Sequence, residues 1–580
     1  MSHDHHPRRS ERNSARDFDD ATTTQPRRPL PRRGRVVAFL VVSVLLIAAA
    51  AFAAATLAGP QAAWIVGAVV AVAVMCIATL GRTALLTVAS AILPGLGLIG
   101  ARSRLAKVVG VALPVGLLAL VAWAGFSASK DLGAFAGFAV NPTELRTLTV
   151  VMIAAGLVWV TLIAGTHLLT RPAGWGIGRR ALGALLVSAM SFGVAGSAAV
   201  AARYAFDSQK FVTTVFPDEK DVQSTSRPSI DAKEKNPWKN TPRLNIMLLG
   251  ADSANARDPR NGLRADTIMV ASIDTATGAT TIIQIPRNVQ YTPFPKGSAL
   301  EQQFPRGFRG EGDPAEWYIN ALWDKAVIDY PDLLQGQTYP GAEAMKQGVQ
   351  GITGLKIDYF VLLNIDGVQR LIDAMGGVTV NINERLPIAS NTTGKRPTGW
   401  LEPGPDQHLG GYDAMWYARS RSTTSDYARM ARQSCLVNAI VKQANPKTML
   451  SSYEAIAEAS AQMVMTDIPQ QVLEPMVSLS LKVKDAKITR LVFSPGKNGY
   501  EYARPDFEAM NQAVQDAIAA TSGSPTAAPT STAPATTAAA PPSASPSPTQ
   551  SPSPEGSSSP EPTLVEGAQG VEDACAYNPV

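Results

Sequence analysis

A short stretch in the second half of the chain concentrates positive charge. Residues 417–433 read YARSRSTTSDYARMARQ, in a chain of which only 17% of residues are charged. The stretch contains four arginines followed by a glutamine: Arg419, Arg421, Arg429, Arg432 and Gln433. The last three fall on one face of a helix, because residues three and four apart are neighbours there. The first two share a face if residues 415–421 form a strand.

Four guanidinium groups clustered in one short stretch are stable only beside a ligand or protein groups of opposite charge. The nearest carboxylates in sequence, Asp413 and Asp426, are too few to neutralise four arginines. A cluster of like charges repels itself, and a polyanion would relieve that cost. Arginine suits phosphate in particular, since its planar fork donates two parallel hydrogen bonds. The alternative, ordinary surface ion pairs, explains any one of these residues better than it explains all of them.

A second group of charged residues marks the ends of three predicted strands. These residues are Asp252, Arg264, Asp266 and Arg287. Ligand sites in layered α/β sheets gather outside strand ends, so these side chains are expected to lie together. Mg²⁺ takes one or two carboxylates and leaves its other positions to water and phosphate oxygens. Two aspartates beside two arginines therefore predict a metal ion next to an anion.

Hydrophobic periodicity predicts the elements that position these residues. Apolar runs bounded by turn residues predict strands over 244–252, 266–274, 279–286, 357–365 and 378–382. Helical spacing predicts helices over 341–354, 367–377 and 426–444. The first two helices end at glycine, and Asp426 is the predicted N-cap of the third. This alternation predicts an α/β or α+β domain with a layered central β-sheet flanked by helices.

The first third of the chain is predicted to lie in a membrane. A bilayer-spanning helix needs about 20 apolar residues, and five stretches qualify: about 36–58, 62–80, 106–127, 148–169 and 181–203. A shorter apolar piece, 84–100, is broken by Pro94 and predicts a re-entrant or interfacial segment. The distribution of arginines places the N-terminus in the cytoplasm and everything after residue 204 outside. The spans carry almost no ionisable residues, which favours an anchor over a transporter, and the outside location excludes nucleic acid as a partner.

Composition divides the chain into six predicted parts. They are a disordered basic cytoplasmic tail (1–35), the membrane region (36–203), a linker (204–242), an extracytoplasmic domain (243–520), a Pro/Ser/Thr/Ala-rich linker (521–563) and a C-terminal segment (564–580). Cys435 and Cys575 both lie outside the membrane, where thiols oxidise, and we predict a disulfide between them. The three cysteines offer no CxxC pair for zinc.

Several motifs resemble those of the LytR-CpsA-Psr family, in the order that the family has them. They are LLGAD (248–252), RADTIMVASID (264–274), IPRN (285–288), YINALW (318–323) and LGGYDAMWYARSR…DYARMARQ (409–433). The resemblance implies an extracytoplasmic domain with a central sheet, flanking helices and an apolar pocket for a prenyl chain. It also implies a phosphotransferase that moves a glycopolymer from a polyprenyl-pyrophosphate carrier to a muramic acid hydroxyl of peptidoglycan, forming a phosphodiester.

The resemblance further implies roles for individual residues. Asp252 and Asp266 would hold Mg²⁺, or Mn²⁺, on the pyrophosphate. The pyrophosphate oxygens would be bound by Arg264, Arg287, Arg419, Arg421, Arg429, Arg432 and Gln433. Asp266, Arg287 and Arg419 would act in catalysis, and Asp266 is also a candidate to accept the hydroxyl proton. Phosphoryl transfer asks mainly for positioning and charge neutralisation, so it needs no Ser-His or Cys-His pair.

The chain departs from the family pattern in three respects. Ala265 stands where the family often has serine, and Asn288 stands where it often has aspartate, so Asn288 cannot act as a base. About five spans replace the usual single one. Two other functions remain open. The same arginines could serve a non-catalytic polyprenyl-phosphate-binding scaffold or regulator of wall assembly, or a hydrolase of the pyrophosphate carrier.

Overall fold

A computed structural model describes residues 60–130, 133, 137–251, 263–389, 396–420, 425–443, 464–522 and 567–579. The predicted span over 36–58, Asp252 and Arg421 lie outside the described residues. The chain divides into two compact units. One comprises Met1–Pro114 and Trp159–Val194, and the other comprises Val115–Val158 and Ala195–Val580.

The N-terminal region consists of helices: α1 (Pro60–Leu80), α2 (Arg82–Ile92), α3 (Arg104–Lys130), α4 (Pro142–Thr170) and α5 (Ile177–Val215). Within the described residues, three helical stretches are long and apolar enough to cross a membrane: Arg104–Lys130, Pro142–Thr170 and Ile177–Asp221. They contain the predicted spans 106–127, 148–169 and 181–203 and support membrane anchoring. The stretch 62–80 lies within α1. The count of five spans and their orientation stay predictions.

The strands of the second unit are β1 (Arg243–Ala251), β2 (Ala265–Asp274), β3 (Thr280–Ile285), β4 (Tyr359–Asn364), β5 (Val378–Ile382), β6 (Leu386–Ile388), β7 (Gly399–Leu401), β8 (Gly404–Leu409), β9 (Val464–Thr466), β10 (Ile488–Val492) and β11 (Gln569–Gly570). Seven of them form one mixed sheet in the order β11–β10–β3–β2–β1–β4–β9. The others form two small sheets, in which β5 pairs with β8 and β6 pairs with β7. The predicted central sheet is therefore confirmed.

The helices of this unit are α6 (Ala299–Gln303), α7 (Leu322–Asp324), α8 (Pro340–Thr353), α9 (Ile365–Ala374), α10 (Gly411–Arg419), α11 (Asp426–Gln443), α12 (Leu473–Asp485), α13 (Phe507–Ser522) and α14 (Val571–Ala574). They cover both faces of the sheet because alternate residues of a strand point to opposite sides. Met247 of β1 packs in one core with Met345 of α8 and Met510 of α13. Leu244, on the opposite face of β1, packs in another core with Leu479 of α12. The predicted layered α/β class is confirmed.

The segment 204–242, predicted as a linker, packs against this sheet. Helix α5 continues to Val215, and Val212, Ile230 and Trp238 are buried in the core that contains Leu244. Burying these apolar side chains is favourable in proportion to the area removed from water. The folded domain therefore includes residues before position 243.

The C-terminal segment returns to the same sheet. Strand β11 pairs with β10 and is the outermost strand on that side of the sheet. Val571 is fully buried beside it. Cys575 forms a disulfide with Cys435 of α11, with the two Cα atoms 5.6 Å apart. The predicted disulfide is confirmed. It fixes the end of the chain to the helix that carries Arg429 and Gln433.

We expect the Cys575→Ser variant to lose about 2–4 kcal/mol of the free energy of unfolding, because the disulfide closes a long loop in the unfolded chain. The two cysteines are separated by 140 positions. Thermal unfolding of the full chain in detergent, with and without reductant, measures the effect. Reductant should lower the Tm of the wild type and leave that of the variant unchanged. Equal Tm values for both proteins in oxidising buffer would contradict this expectation.

Candidate anion-binding site at the edge of the sheet

The ends of three strands meet at one edge of the central sheet. Strand β2 runs antiparallel to both β1 and β3, so the end of β1, the start of β2 and the end of β3 lie side by side. The structure thereby brings Asp266, in β2, to Arg287, which follows β3. Arg287 Nη1 donates a hydrogen bond to Asp266 Oδ1. Ala251, the residue before Asp252, pairs with Ala265 at the same edge.

A β-bulge presents the side chain of Asp266. Gly250 pairs with Thr267 and Ala251 pairs with Ala265, which leaves Asp266 without an opposite residue on β1. A bulge of this kind bends the strand and redirects a side chain. Glycine suits position 250 because an added Cβ would lie 3.0 Å from the Cβ of Thr267. The side chain of Asp266 is 42% exposed, so its carboxylate can reach a ligand.

Helix α11 adds Arg429 and Gln433 to this edge. Together with Asp266 and Arg287 they line a narrow cleft, which we call the arginine cleft. Arg429 is buried, and its Nη1 donates to the backbone oxygen of Asp266 at 3.4 Å, while Nη2 lies 3.0 Å from Asp426. Its Nε is buried and has no hydrogen-bond acceptor among the described residues. One donor of this guanidinium is therefore available to an anion.

Three apolar side chains also line the arginine cleft: Ile268 of β2, Ile285 of β3 and Met430 of α11. All three are buried, and they pack beside Gln284 and Thr267 of the same lining.

Buried polar contacts hold α11 on the sheet. Gln284 of β3 donates to the backbone oxygen of Met430 at 2.6 Å and accepts from the Ser434 hydroxyl at 2.6 Å. At the start of the helix, Ser425 Oγ accepts from the backbone N–H of Ala428 at 3.1 Å. Ser425 is therefore the N-cap, one residue before the predicted Asp426, because its hydroxyl reaches the third helical N–H.

Residues 415–419 belong to helix α10, so the strand on which Arg419 and Arg421 would share a face does not form there. Ala414, Tyr417 and Ala418 all face the core built on the two small sheets. Residues at positions i, i+3 and i+4 share one face in a helix but not in a strand. Arg419 is the last residue of α10, is exposed, and lines neither the arginine cleft nor the cavity described below.

Arg432, a predicted pyrophosphate ligand, is bound by protein groups. Its Nε donates to the backbone oxygen of Tyr417 at 2.8 Å, and its two Nη groups donate to Glu384 and to the backbone oxygen of Ser420. Burial lowers the pKa of Arg432, and the neighbouring charge of Glu384 opposes that shift. Because these contacts join α10 to α11, Arg432 positions the helix that carries Arg429.

Arg287 also lines a wider opening of about 440 Å³, which we call the tyrosine cavity. Its lining includes Arg264, Asn288, Asn320, Tyr318, Tyr427 and Tyr502. Arg264 Nε lies 3.6 Å from a carboxylate oxygen of Asp324. The sequence predicted that Arg264 and Arg287 belong to a binding site. It predicted no role for the three tyrosines or for Asn320. The motif YINALW, which contains Tyr318 and Asn320, was the available signal.

Of the two predicted Mg²⁺ ligands, the structure describes Asp266 and does not describe Asp252. Within the described part of the chain, no group of three or more His, Cys, Asp or Glu side chains could hold a metal by itself. Mg²⁺ does not need such a group, because it takes one or two carboxylates and completes its shell with water and phosphate oxygens. Asp266 offers one exposed carboxylate, and Asp252 follows Ala251 directly in the chain. These two residues stay the predicted metal ligands.

The fold and the site define an α/β domain with an arginine-lined cleft where three strands of a mixed sheet end. A model of the LytR_cpsA_psr family matches residues 209–518, more than half of the 580 residues. The chain belongs to this family, as the sequence motifs predicted.

Named relatives cover parts of the chain. Biofilm regulatory protein A of Streptococcus mutans is 24% identical over 228 residues, 39% of this chain and 50% of the relative. The polyisoprenyl-teichoic acid–peptidoglycan teichoic acid transferase TagU of Enterococcus faecalis is 23% identical over 308 residues, 51% of this chain and 83% of the relative. The crystal structure of B. subtilis TagV aligns with a TM-score of 0.34 and 19% identity, over 48% of this chain and 96% of that one. The chain spans half the length of the first of these relatives.

Proposed function

We propose that this protein transfers a glycopolymer from a polyprenyl-pyrophosphate carrier to a hydroxyl group of peptidoglycan, forming a phosphodiester. Its family and the transferase name of the E. faecalis relative support transfer to peptidoglycan. The observation that carries the proposal is the arginine cleft, in which Arg287, Arg429 and Gln433 surround Asp266 and one buried N–H of Arg429 lacks an acceptor.

The arginine cleft would bind the pyrophosphate end of the lipid carrier. Arg287 and Arg429 would bind the pyrophosphate oxygens through their planar donor groups, and Gln433 would add its amide. The apolar pocket for the prenyl chain stays a prediction. Arg264 would approach the phosphate from the tyrosine cavity. Arg419 and Arg421 stay predicted ligands.

The proposed reaction forms one phosphorus–oxygen bond and breaks another. The acceptor hydroxyl oxygen attacks the phosphorus that carries the glycopolymer, and the bond from that phosphorus to the bridging oxygen breaks. Polyprenyl phosphate leaves with the bridging oxygen, and the hydroxyl proton is released to water. The arginines stabilise the negative charge that the transition state spreads over the phosphate oxygens. A metal ion held by Asp266 and Asp252 would supply further charge neutralisation on the pyrophosphate.

The full chain in detergent, given a polyprenyl-pyrophosphate-linked disaccharide and a soluble peptidoglycan oligomer, tests the proposal. We expect release of polyprenyl phosphate and a phosphodiester-linked product, both lost with EDTA and restored by Mg²⁺ or Mn²⁺. Equal release without the acceptor would identify a hydrolase. Tight donor binding with no release in the presence of metal would identify a binder. Either result would overturn the proposed transfer.

A further inference from the structure

We propose that residues 137–141, between α3 and α4, form a second attachment of the extracytoplasmic domain to the membrane helices. We call these residues the docking segment. The first attachment is α5, which runs from the membrane into the domain. A domain joined through one element moves by default, whereas two attachments hold it in one orientation. That orientation would present the arginine cleft to a donor anchored in the same bilayer, a role that rests on the proposed function.

The predicted membrane topology allows this contact. Because α4 and α5 are two successive predicted crossings, the docking segment before α4 lies on the same side of the membrane as the domain after α5. The second half of α3, the first half of α4 and the second half of α5 belong to one compact unit with the domain, Val115–Val158 and Ala195–Val580. The docking segment and the domain are therefore described together within that unit.

Helix α5 enters the domain without a break. Its 39 residues, Ile177–Val215, contain no proline. At a rise of 1.5 Å per residue they extend about 58 Å, about twice the hydrocarbon thickness of a bilayer. Near its end, Phe211 and Val212 pack in the core that contains Leu244 of β1. The first attachment is thus a single helix whose last turns are part of the domain core.

The docking segment contacts the same core from another direction. Val140 packs against it, beside buried residues that include Tyr359 of β4 and Leu473 of α12. Gly137 is buried, and a Cβ added there would lie 2.4 Å from Cγ of Glu474. A larger residue at position 137 would have to push the Glu474 side chain aside. The docking segment therefore lies directly against the first residues of α12.

Hydrogen bonds within the docking segment fix its shape. The backbone N–H of Val140 donates to the backbone oxygen of Gly137 at 3.0 Å. Asn141 Oδ1 accepts from the backbone N–H of Thr143 at 3.1 Å, so Asn141 caps the start of α4. Pro142 occupies the first helical position, where proline is favourable. Because the segment is already ordered, docking costs little further conformational entropy.

Helix α12 connects the docking segment to the helix that carries part of the arginine cleft. Glu474, at the start of α12, lies against the docking segment. At the other end of α12, the backbone oxygen of Lys484 accepts from Lys442 Nζ of α11 at 2.9 Å. Val483 packs in one core with apolar side chains of α11. The position of α11 is thereby tied to that of the docking segment through packed elements.

Two donors with the same disaccharide pyrophosphate test this role. One has a long polyprenyl chain and is embedded beside the full chain in a nanodisc, and the other has a geranyl chain and stays in water. Val140→Asp places a charge in the packed contact, and Ala139→Asp, at the exposed neighbouring position, is the matched control. We expect Val140→Asp to release prenyl phosphate from the embedded donor about tenfold more slowly, since a misplaced cleft loses the advantage of a donor held nearby. Its rate with the geranyl donor should match that of the wild type.

A designed cross-link tests the attachment without any transfer reaction. A Cβ at position 137 would lie 3.2 Å from the Cβ of Glu474, close to the separation of about 3.5–4.5 Å found across disulfides. The full chain with Gly137→Cys and Glu474→Cys should therefore form this disulfide, which mass spectrometry of the non-reduced protein detects. Gly137→Cys alone is the control. The cross-linked protein should match the wild-type rate with the embedded donor, because the bond joins residues already in contact.

Each result decides one part of the proposal. A loss by Val140→Asp confined to the embedded donor, together with the cross-link, would support the attachment and its role. Absence of the cross-link would overturn the attachment. Equal rates for Val140→Asp and Ala139→Asp, or an equal loss with both donors, would overturn the role in presenting the cleft. Transfer by the wild type from neither donor would overturn the proposed function, and the cross-link would still decide whether the attachment exists.

Discussion

Replacement of Arg287 by alanine is expected to reduce the rate of transfer about 10³-fold or more, because an arginine that stabilises a phosphoryl-transfer transition state contributes on this scale. Arg287 is shared by the arginine cleft and the tyrosine cavity, and it contacts Asp266 directly. Its loss would therefore remove charge neutralisation from the phosphate and leave the proposed metal ligand without its partner.

The same substitution should leave the domain folded. The side chains of Arg287 and Asp266 are 27% and 42% exposed, and ion pairs this open to solvent contribute little to stability. The Asp266 carboxylate would remain hydrated. The loss of activity can therefore be measured on a native protein.

Two control variants sharpen the experiment. Arg306 is an exposed arginine that lines neither the cleft nor the cavity, so Arg306→Ala should transfer at the wild-type rate. Arg287→Lys keeps the charge and loses the planar fork, so its rate should lie between those of wild type and Arg287→Ala. The measurement is the initial rate of polyprenyl phosphate release with acceptor and Mg²⁺. Near-wild-type release by Arg287→Ala would show that this arginine does not act in the reaction.

The strands that carry the site could be predicted because their signals are local. Apolar runs interrupted by turn residues located β1, β2 and β3 within one or two residues. Antiparallel neighbours then bring the end of one strand to the start of the next, so polar residues at those ends meet without further information. This topology therefore predicts that Asp266, Arg264 and Arg287 lie together at one edge of the sheet.

The arrangement of the second arginine group depends on contacts that the local sequence does not contain. Arg432 is neutralised by Glu384, a residue 48 positions earlier that a survey of nearby carboxylates does not include. Residues 415–419 form part of a helix because Tyr417 and Ala418 pack against small sheets formed by other residues. The tyrosine cavity is similarly non-local, since Tyr318 and Tyr502 are 184 positions apart. The disulfide could be predicted because two cysteines lay outside the predicted membrane spans.

Replacement of Lys346 by methionine is expected to lower the free energy of unfolding by about 3–5 kcal/mol, the usual cost of removing one partner from a buried ion pair. Lys346 is 1% exposed, pairs with Asp467, and lies 3.0 Å from Glu343. It also donates to Ser226 at 2.8 Å, in the segment that joins α5 to β1. Without the ammonium group, two buried carboxylates would face each other uncompensated.

The cost of Lys346→Met should grow as the pH rises. Burial already raises the pKa of Asp467, while the charge of Lys346 lowers it. A carboxyl group whose pKa is higher in the folded state than in the unfolded state binds its proton more tightly when folded, so stability falls as the pH rises through that range. Removing Lys346 raises this pKa further, because the opposing positive charge is gone. The variant should therefore lose more stability than the wild type as the pH rises above the ordinary range of an aspartate pKa.

Urea unfolding of the full chain in detergent, followed by tryptophan fluorescence, measures this difference at several pH values. Lys239→Met is the matched control, since the side chain of Lys239 is 52% exposed in its pair with Glu234 and should change stability by less than about 0.5 kcal/mol. A Lys346→Met variant as stable as this control would show that the buried charges are relieved in another way. A loss of stability independent of pH would instead attribute the effect to packing, because only the electrostatic explanation requires a carboxyl group to take up a proton.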